Sequence, residues 1–165
     1  MHRRQFLASS ALATALLATA PAILPAFAQG TPQAVIEAYV AAWNAHDSAK
    51  AADHFAEEVV YYDASVGKPA EGKETAKVGV IDNFLNAVPD AVWKMKGKPV
   101  VQDDKVAFEW EFSGTNTGDW ADGTKSTGKK FSFPGVSVFS VKDGKIVSQS
   151  DYYDALSFYK QLGLM

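Results

Sequence analysis

The chain has 165 residues, 47% hydrophobic and 21% charged, with a formal net charge of −3 and no cysteine. That length accommodates one domain with one sizeable core. The mild acidity argues against nucleic acid or an anionic membrane surface as partner. The lack of cysteine excludes disulfides, thiolate metal sites and thiol nucleophiles.

The first 28 residues read as an export signal rather than part of the fold. A basic start at Arg3 and Arg4 precedes an apolar run from about Ala11 to Leu24, and Ala26-Phe27-Ala28 has the small-x-small form of a cleavage site. Arg3-Arg4-Gln5-Phe6-Leu7 has the form of a twin-arginine address. The expected division is therefore residues 1–28 as signal and 29–165 as one domain, periplasmic or secreted, with no membrane attachment after cleavage. Removing two arginines takes the net charge from −3 to about −5.

Thr31 followed by Pro32 is a helix start, and Val35, Ile36, Tyr39, Val40 and Trp43 recur at helical spacing. Asn44-Ala45-His46 breaks that helix, and Asp47 opens a second, short one carrying Ala51 and Phe55. EEVVYYDAS reads as a strand and VGKPAEG as a loop. Lys73 to Ala87 reads as a third helix, with Val80, Ile81, Phe84 and Leu85 on its apolar side. Four strands follow: AVWKMKGKPVVQ, KVAFEWEFSG, KKFSFPGVSVFSV and IVSQSDYYD. A bulge is expected near Pro134-Gly135 and a tight hairpin at Asp143-Gly144. A short helix from Ala155 to Leu162 closes the chain, with Asp154 as its cap.

Helices first and hairpin-linked strands last describe an α+β domain. Its strongly bent mixed or antiparallel sheet wraps over three N-terminal helices and leaves a cone with a hollow. Alternation along KVAFEWEFSG puts Trp110 and Phe112 inward and Glu109 and Glu111 toward solvent. On the last strand, Val147, Gln149, Asp151 and Tyr153 share a face. A carboxylate on an inward face is costly unless paired. Asp151 is thus either a functional group in a pocket or a member of a structural network. Tyr61 and Asp63 share a face of the first strand and can meet Asp151 inside the cone. A phenol and two acids in a dry aromatic cavity can do acid–base work, because burial raises carboxyl pKa values. The alternative for Asp63 is a wet position at the start of the next loop. His46 falls in the helix break and His54 on the short helix. Neither has a partner at metal-ligand spacing, so no metal site is expected. Trp43, Phe55, Trp110, Phe112, Trp120 and Phe133 are candidates to line a hollow suited to a flat or apolar small molecule.

GTNTGDW, STGKKFSFPGVSVFSVKDGKI and DYYDALSFYKQLG resemble the second half of the SnoaL-like polyketide cyclase (ester cyclase) family, in the nuclear-transport-factor-2-like superfamily. The resemblance spans about residues 32 to 163. It implies a conical α+β fold with a deep pocket, homodimers through the sheet, and a pocket acid driving aldol closure without metal or cofactor. Asp151 takes the acid's position. Asn116 stands where the family's G-T-H-T-G motif has His, and an amide can bind a substrate oxygen but not carry a proton. The tail also resembles that of limonene-1,2-epoxide hydrolase. In that alignment Asp151 and Tyr61 match, Asp63 falls on an Asn, and Trp110 and Phe112 replace an Arg–Asp pair.

The resulting expectation is an exported, cofactor-independent cyclase or isomerase using Asp151, Tyr61 and Asp63. The substrate would sit against Trp43, Phe55, Trp110, Phe112, Asn116, Trp120, Phe133 and Tyr153. The alternatives are a carrier for an apolar small molecule and an epoxide-hydrolase-like hydrolase.

Overall fold

The structure, a computed structural model, describes residues 30–165. The expected export signal lies outside the described residues. Helix α1 spans Pro32–Asn44 and α2 spans Ser48–Ala52. Both begin as their sequences require. Thr31 accepts from the Ala34 N–H at 3.2 Å, and Asp47 accepts from the Lys50 N–H at 2.9 Å. Strand β1 is Phe55–Asp63, β2 Pro69–Glu71, β3 Val92–Gln102, β4 Lys105–Thr115, β5 Lys130–Lys142 and β6 Lys145–Tyr153. Helix α5, Ala155–Leu162, follows a cap in which Asp154 accepts from the Ser157 N–H at 2.9 Å.

The six strands form one mixed sheet in the order β2-β1-β6-β5-β4-β3. Only β1 and β6 run parallel. The sheet is bent but not closed, with β2 and β3 at its edges. The edge strand β2 arises within the segment expected to be a loop, where Ala70 pairs with Tyr61. On the inner face, α1 buries Ile36, Tyr39 and Trp43, with Tyr39 against Phe55, Trp93 and Phe139 and Trp43 against Trp93. Asn44 ties the end of α1 to β3 by donating to the Trp93 carbonyl and accepting from its N–H.

Three local expectations are corrected. The helix from Lys73 to Ala87 is present, but its middle is a π-helical turn. Helix α3 covers Lys73–Ala76, the π turn Lys77–Asp82, and α4 Asn83–Ala87. No register shift occurs at Pro134-Gly135. Pro134 lies beyond the β5–β6 ladder, which begins with Gly135 opposite Tyr153, so its missing N–H costs that ladder nothing. Gly135 is instead required by packing, since a Cβ there would come within 2.2 Å of the Trp110 ring. The bulge sits at Val147, between the pairs Ser140–Ser148 and Val141–Ile146. It moves fully buried Ile146, rather than Val147, onto the inner face with Gln149.

Candidate active site

The inner face of β6 carries Gln149 and Asp151 into the hollow. Their strand neighbours decide their chemistry. Ser137 of β5 lies opposite Asp151, and on the other side Tyr61 and Asp63 of β1 pair with Gln149 and Asp151. Asp151 Oδ2 accepts from the Tyr61 hydroxyl at 2.5 Å, and Oδ1 accepts from the Ser137 hydroxyl at 2.6 Å. The Ser137 oxygen itself accepts from Trp110 Nε1 at 2.7 Å, which leaves its proton for the carboxylate. Gln149 Nε2 donates toward both carboxylate oxygens at 3.1–3.2 Å and toward the Tyr61 oxygen at 3.0 Å.

Asp151 is only 7% exposed. Burial pushes its pKa up to about 6, against the lowering pull of the Ser137, Tyr61 and Gln149 donors, and nearby Asp63 adds to the rise. Burial also drives the Tyr61 phenol well above its ordinary value, with the charge of Asp151 acting in the same direction. Tyr61 therefore stays protonated and acts as a donor.

Asp63 is buried as well. Its Oδ1 accepts from the Ser65 N–H at 2.7 Å and the Ser65 hydroxyl at 2.6 Å. Its Oδ2 accepts from the Tyr153 hydroxyl at 3.0 Å. Burial and the Asp63 charge hold the Tyr153 phenol well above its ordinary pKa.

A cavity of about 40 Å³ opens beside the two carboxylates. Of the residues singled out in the sequence, Asp151, Tyr61, Asp63 and Tyr153 form its polar wall. Trp43, Trp110, Phe112 and Phe133 form much of its aromatic wall. Phe84 and Trp93 complete that wall. Their sequence signal was helical spacing for Phe84 and a strand start for Trp93, both of which read equally well as core.

The structure does not bring the remaining three candidates to this cavity. Phe55 is buried one layer below, against Tyr39 and Tyr61. Trp120 lines a separate, larger chamber. Asn116 is fully buried and its amide is spent. Nδ2 donates to the Ala87 and Gly118 carbonyls at 3.1 and 2.8 Å, and Oδ1 accepts from the N–H and hydroxyl of Thr127 at 2.9 and 3.2 Å. It pins the loop after β4 to the end of α4 and does not face Asp151.

Glu109 and Glu111 lie on the outer side of the sheet, where Glu111 meets Lys96 at 3.8 Å. The exposed His46 places Nε2 2.8 Å from the Ala91 carbonyl. Half-buried His54 packs its edge on Tyr39, and burial lowers its pKa. Among the described residues no cluster of His, Cys, Asp and Glu has metal-binding geometry. The arrangement can take and return a proton at Asp151 Oδ atoms, with a phenol and a hydroxyl ready to donate to oxygen.

No protein of curated function matches the chain. Solved structures match its fold closely. TsrD from Streptomyces laurentii is 26% identical, with a TM-score of 0.69 over 82% of this chain and 96% of its own. IdmH from Streptomyces antibioticus, a candidate polyketide cyclase, is 24% identical, with a TM-score of 0.66 over 80% of this chain and 98% of its own. A protein from Catenulispora acidiphila described as having a ketosteroid-isomerase-like fold is 22% identical, with a TM-score of 0.66 over 78% of this chain and 92% of its own. A family model described as SnoaL-like polyketide cyclase matches residues 33–162, nearly all of the described fold. That span takes in both carboxylate strands as well as the helices that cover them, and the chain belongs to the SnoaL-like polyketide cyclase family.

Proposed function

We propose that this chain catalyses a cofactor-independent acid–base reaction at a carbon next to a carbonyl, an aldol-type cyclisation or an isomerisation. The observation that carries this reading is Asp151: buried, facing a cavity, and held near a pKa of about 6. A carboxyl group with that value is mostly ionised at neutral pH yet more basic than a free one, which suits proton abstraction. Taking a proton weakens its hold on the Tyr61 and Ser137 donors. The Tyr61 phenol then has its hydrogen bond available to the oxygen on which charge develops. Asp63, fixed by Ser65 and Tyr153, lines the same cavity, and its charge adds to the raised pKa that makes Asp151 a stronger base than a free carboxylate. The Arg3-Arg4 signal supports an exported, periplasmic or secreted protein.

The test is carbon-acid exchange. With 2-tetralone in deuterated buffer, the protein should accelerate loss of the α-proton signal, with a rate that rises through about pH 6. Asp151→Asn should lower that rate by about 100-fold or more with its circular dichroism unchanged. Equal exchange by the variant would sink the proposal.

A carrier role has one specific support. Six aromatic side chains, Trp43, Phe84, Trp93, Trp110, Phe112 and Phe133, wall the inner cavity and suit an apolar ligand. Native mass spectrometry showing a retained apolar compound that returns unaltered would favour it. The epoxide-hydrolase reading has less, because the described residues contain no arginine.

The outer sheet face carries Val136 opposite Tyr152, with Tyr62 against that ring and Val60 and Val138 exposed nearby. This apolar face supports a homodimer formed sheet to sheet. Light scattering should give twice the chain mass, and Val138→Lys should return the mass of one chain.

A further inference from the structure

A second chamber of about 480 Å³ lies outside the first. It is bounded by the π turn at Gly79, by the loop carrying Trp120 and Thr124, and by helix α5 through Phe158, Tyr159 and Leu162. Three residues line both chambers: Asp63, Phe84 and Tyr153. The two hollows are thus neighbours across one polar–aromatic wall. Their sizes decide what each can hold. The outer chamber is in the range that accepts a small organic molecule, whereas the inner one takes a functional group.

The charges on the two linings are one-sided. Asp63 and Asp151 face the inner chamber, and Asp63 and Asp122 the outer. Among the described residues, no lysine, arginine or histidine lines either. Lys77 and Lys125, on the flanking segments, pair at 2.8 and 2.7 Å with Asp82 and Asp119. A carboxylate or phosphate entering this space would lose water, find no cation among the lining residues, with Lys129 set beside Gly163 at the end of α5, and approach the carboxylates of Asp63, Asp122 and Asp151. Apart from the uncharged polar groups of Ser65, Asn83 and Thr124, the rest of the outer lining is mainly aromatic or aliphatic, and Trp120 makes edge contacts with both Phe84 and Phe158. Rings stack or dock edge-on against such walls.

We infer that the two chambers form one divided site for an uncharged, ring-containing ligand. The ring body lies in the outer chamber, a small polar head reaches past Phe84 and Tyr153 toward Asp151, and anionic relatives of the ligand are turned away. The direction of the head rests on the proposed role of Asp151. The charge rule and the outer chamber do not.

The experiment is a binding titration followed by tryptophan fluorescence, using 1-naphthamide and 1-naphthoate, which share ring and shape and differ in charge. The amide should bind at least tenfold more tightly than the carboxylate. Equal affinity, or no amide binding up to its solubility limit, would overturn the inference. Thr124→Lys places an ammonium on the outer lining. It should raise naphthoate affinity at least fivefold while naphthamide affinity stays within twofold; an unchanged naphthoate affinity would put the ligand elsewhere and overturn the assignment. The same titration on Asp151→Asn separates the two readings. A preserved preference for the amide alongside unaltered proton exchange would remove the catalytic reading and leave the divided site intact.

Discussion

Two amide side chains in this fold are both fully buried, and they do opposite things. Asn116 has every polar capacity filled by backbone and by Thr127, in one orientation that nothing else can replace. Gln149 spends only half of its amide. Its Nε2 faces Asp151 and Tyr61, while its Oε1 has no partner among the described residues. The hydroxyl of Tyr39 lies near Gln149 and Trp43 and makes no hydrogen bond of good geometry among the described residues. A saturated buried amide is a rivet. An unsaturated one beside a titrating acid has a second useful orientation, in which Oε1 accepts a proton held by Asp151. The comparison separates structural from functional polarity by counting hydrogen bonds, where burial alone gives the two residues the same score.

The largest effect should come from removing the rivet. Asn116→Ala strands two carbonyls and the Thr127 donors, and should cost about 3–4 kcal/mol of stability at any pH between 4 and 8. A lowered urea midpoint with an unchanged slope checks it, and proton exchange per folded molecule should be retained.

Next comes a pH effect belonging to the Gln149 side alone. The pKa of Asp151 rises from 3.8 to about 6 on folding, so the folded state holds this proton more tightly than the unfolded one. That advantage is complete below about pH 4 and is lost as pH rises through about 6. Relative to Asp151→Asn, the wild type should therefore lose about 3 kcal/mol between those limits. Parallel stability curves for the two proteins would break the comparison.

The smallest effect is expected for Gln149→Leu, at about 1 kcal/mol, because its donors are long and Ser137 and Tyr61 continue to hold Asp151. Losing the Gln149 N–H should move the Asp151 pKa further up from about 6, read by carboxyl NMR. In the wild type the Gln149 side-chain amide resonances should titrate with Asp151, while those of Asn116 stay still. A cost for Gln149→Leu equal to that of Asn116→Ala would mean that both amides are rivets.

Much of this was legible in the chain. The caps at Thr31, Asp47 and Asp154 were readable because a side chain two or three residues from the orphan N–H is a local matter. The alternation through Val106, Phe108, Trp110 and Phe112 located an inner face, and the odd polar members of the last strand drew attention to Asp151. The bulge at Val147 was not readable, since it depends on how β6 reconciles a β1 partner with a β5 partner. Nor was the π turn, since its apolar spacing still reads as helix. Asn116 was read by motif position as a ligand contact, but its four partners come from Ala87, Gly118 and Thr127, which only the folded loop gathers.

By itself, then, the sequence determined the elements, the inward faces of the central strands and the family, because side-chain periodicity and capping act over a few residues. The tertiary structure decided which polar groups share a proton. It set Asp63 beside Asp151 on parallel strands whose residues lie 88 positions apart in number. It also filled the amide of Asn116, left that of Gln149 half used, and divided the hollow in two. Those outcomes rest on desolvation and on hydrogen-bond partners from distant segments, and neither exists until the sheet has bent over its helices.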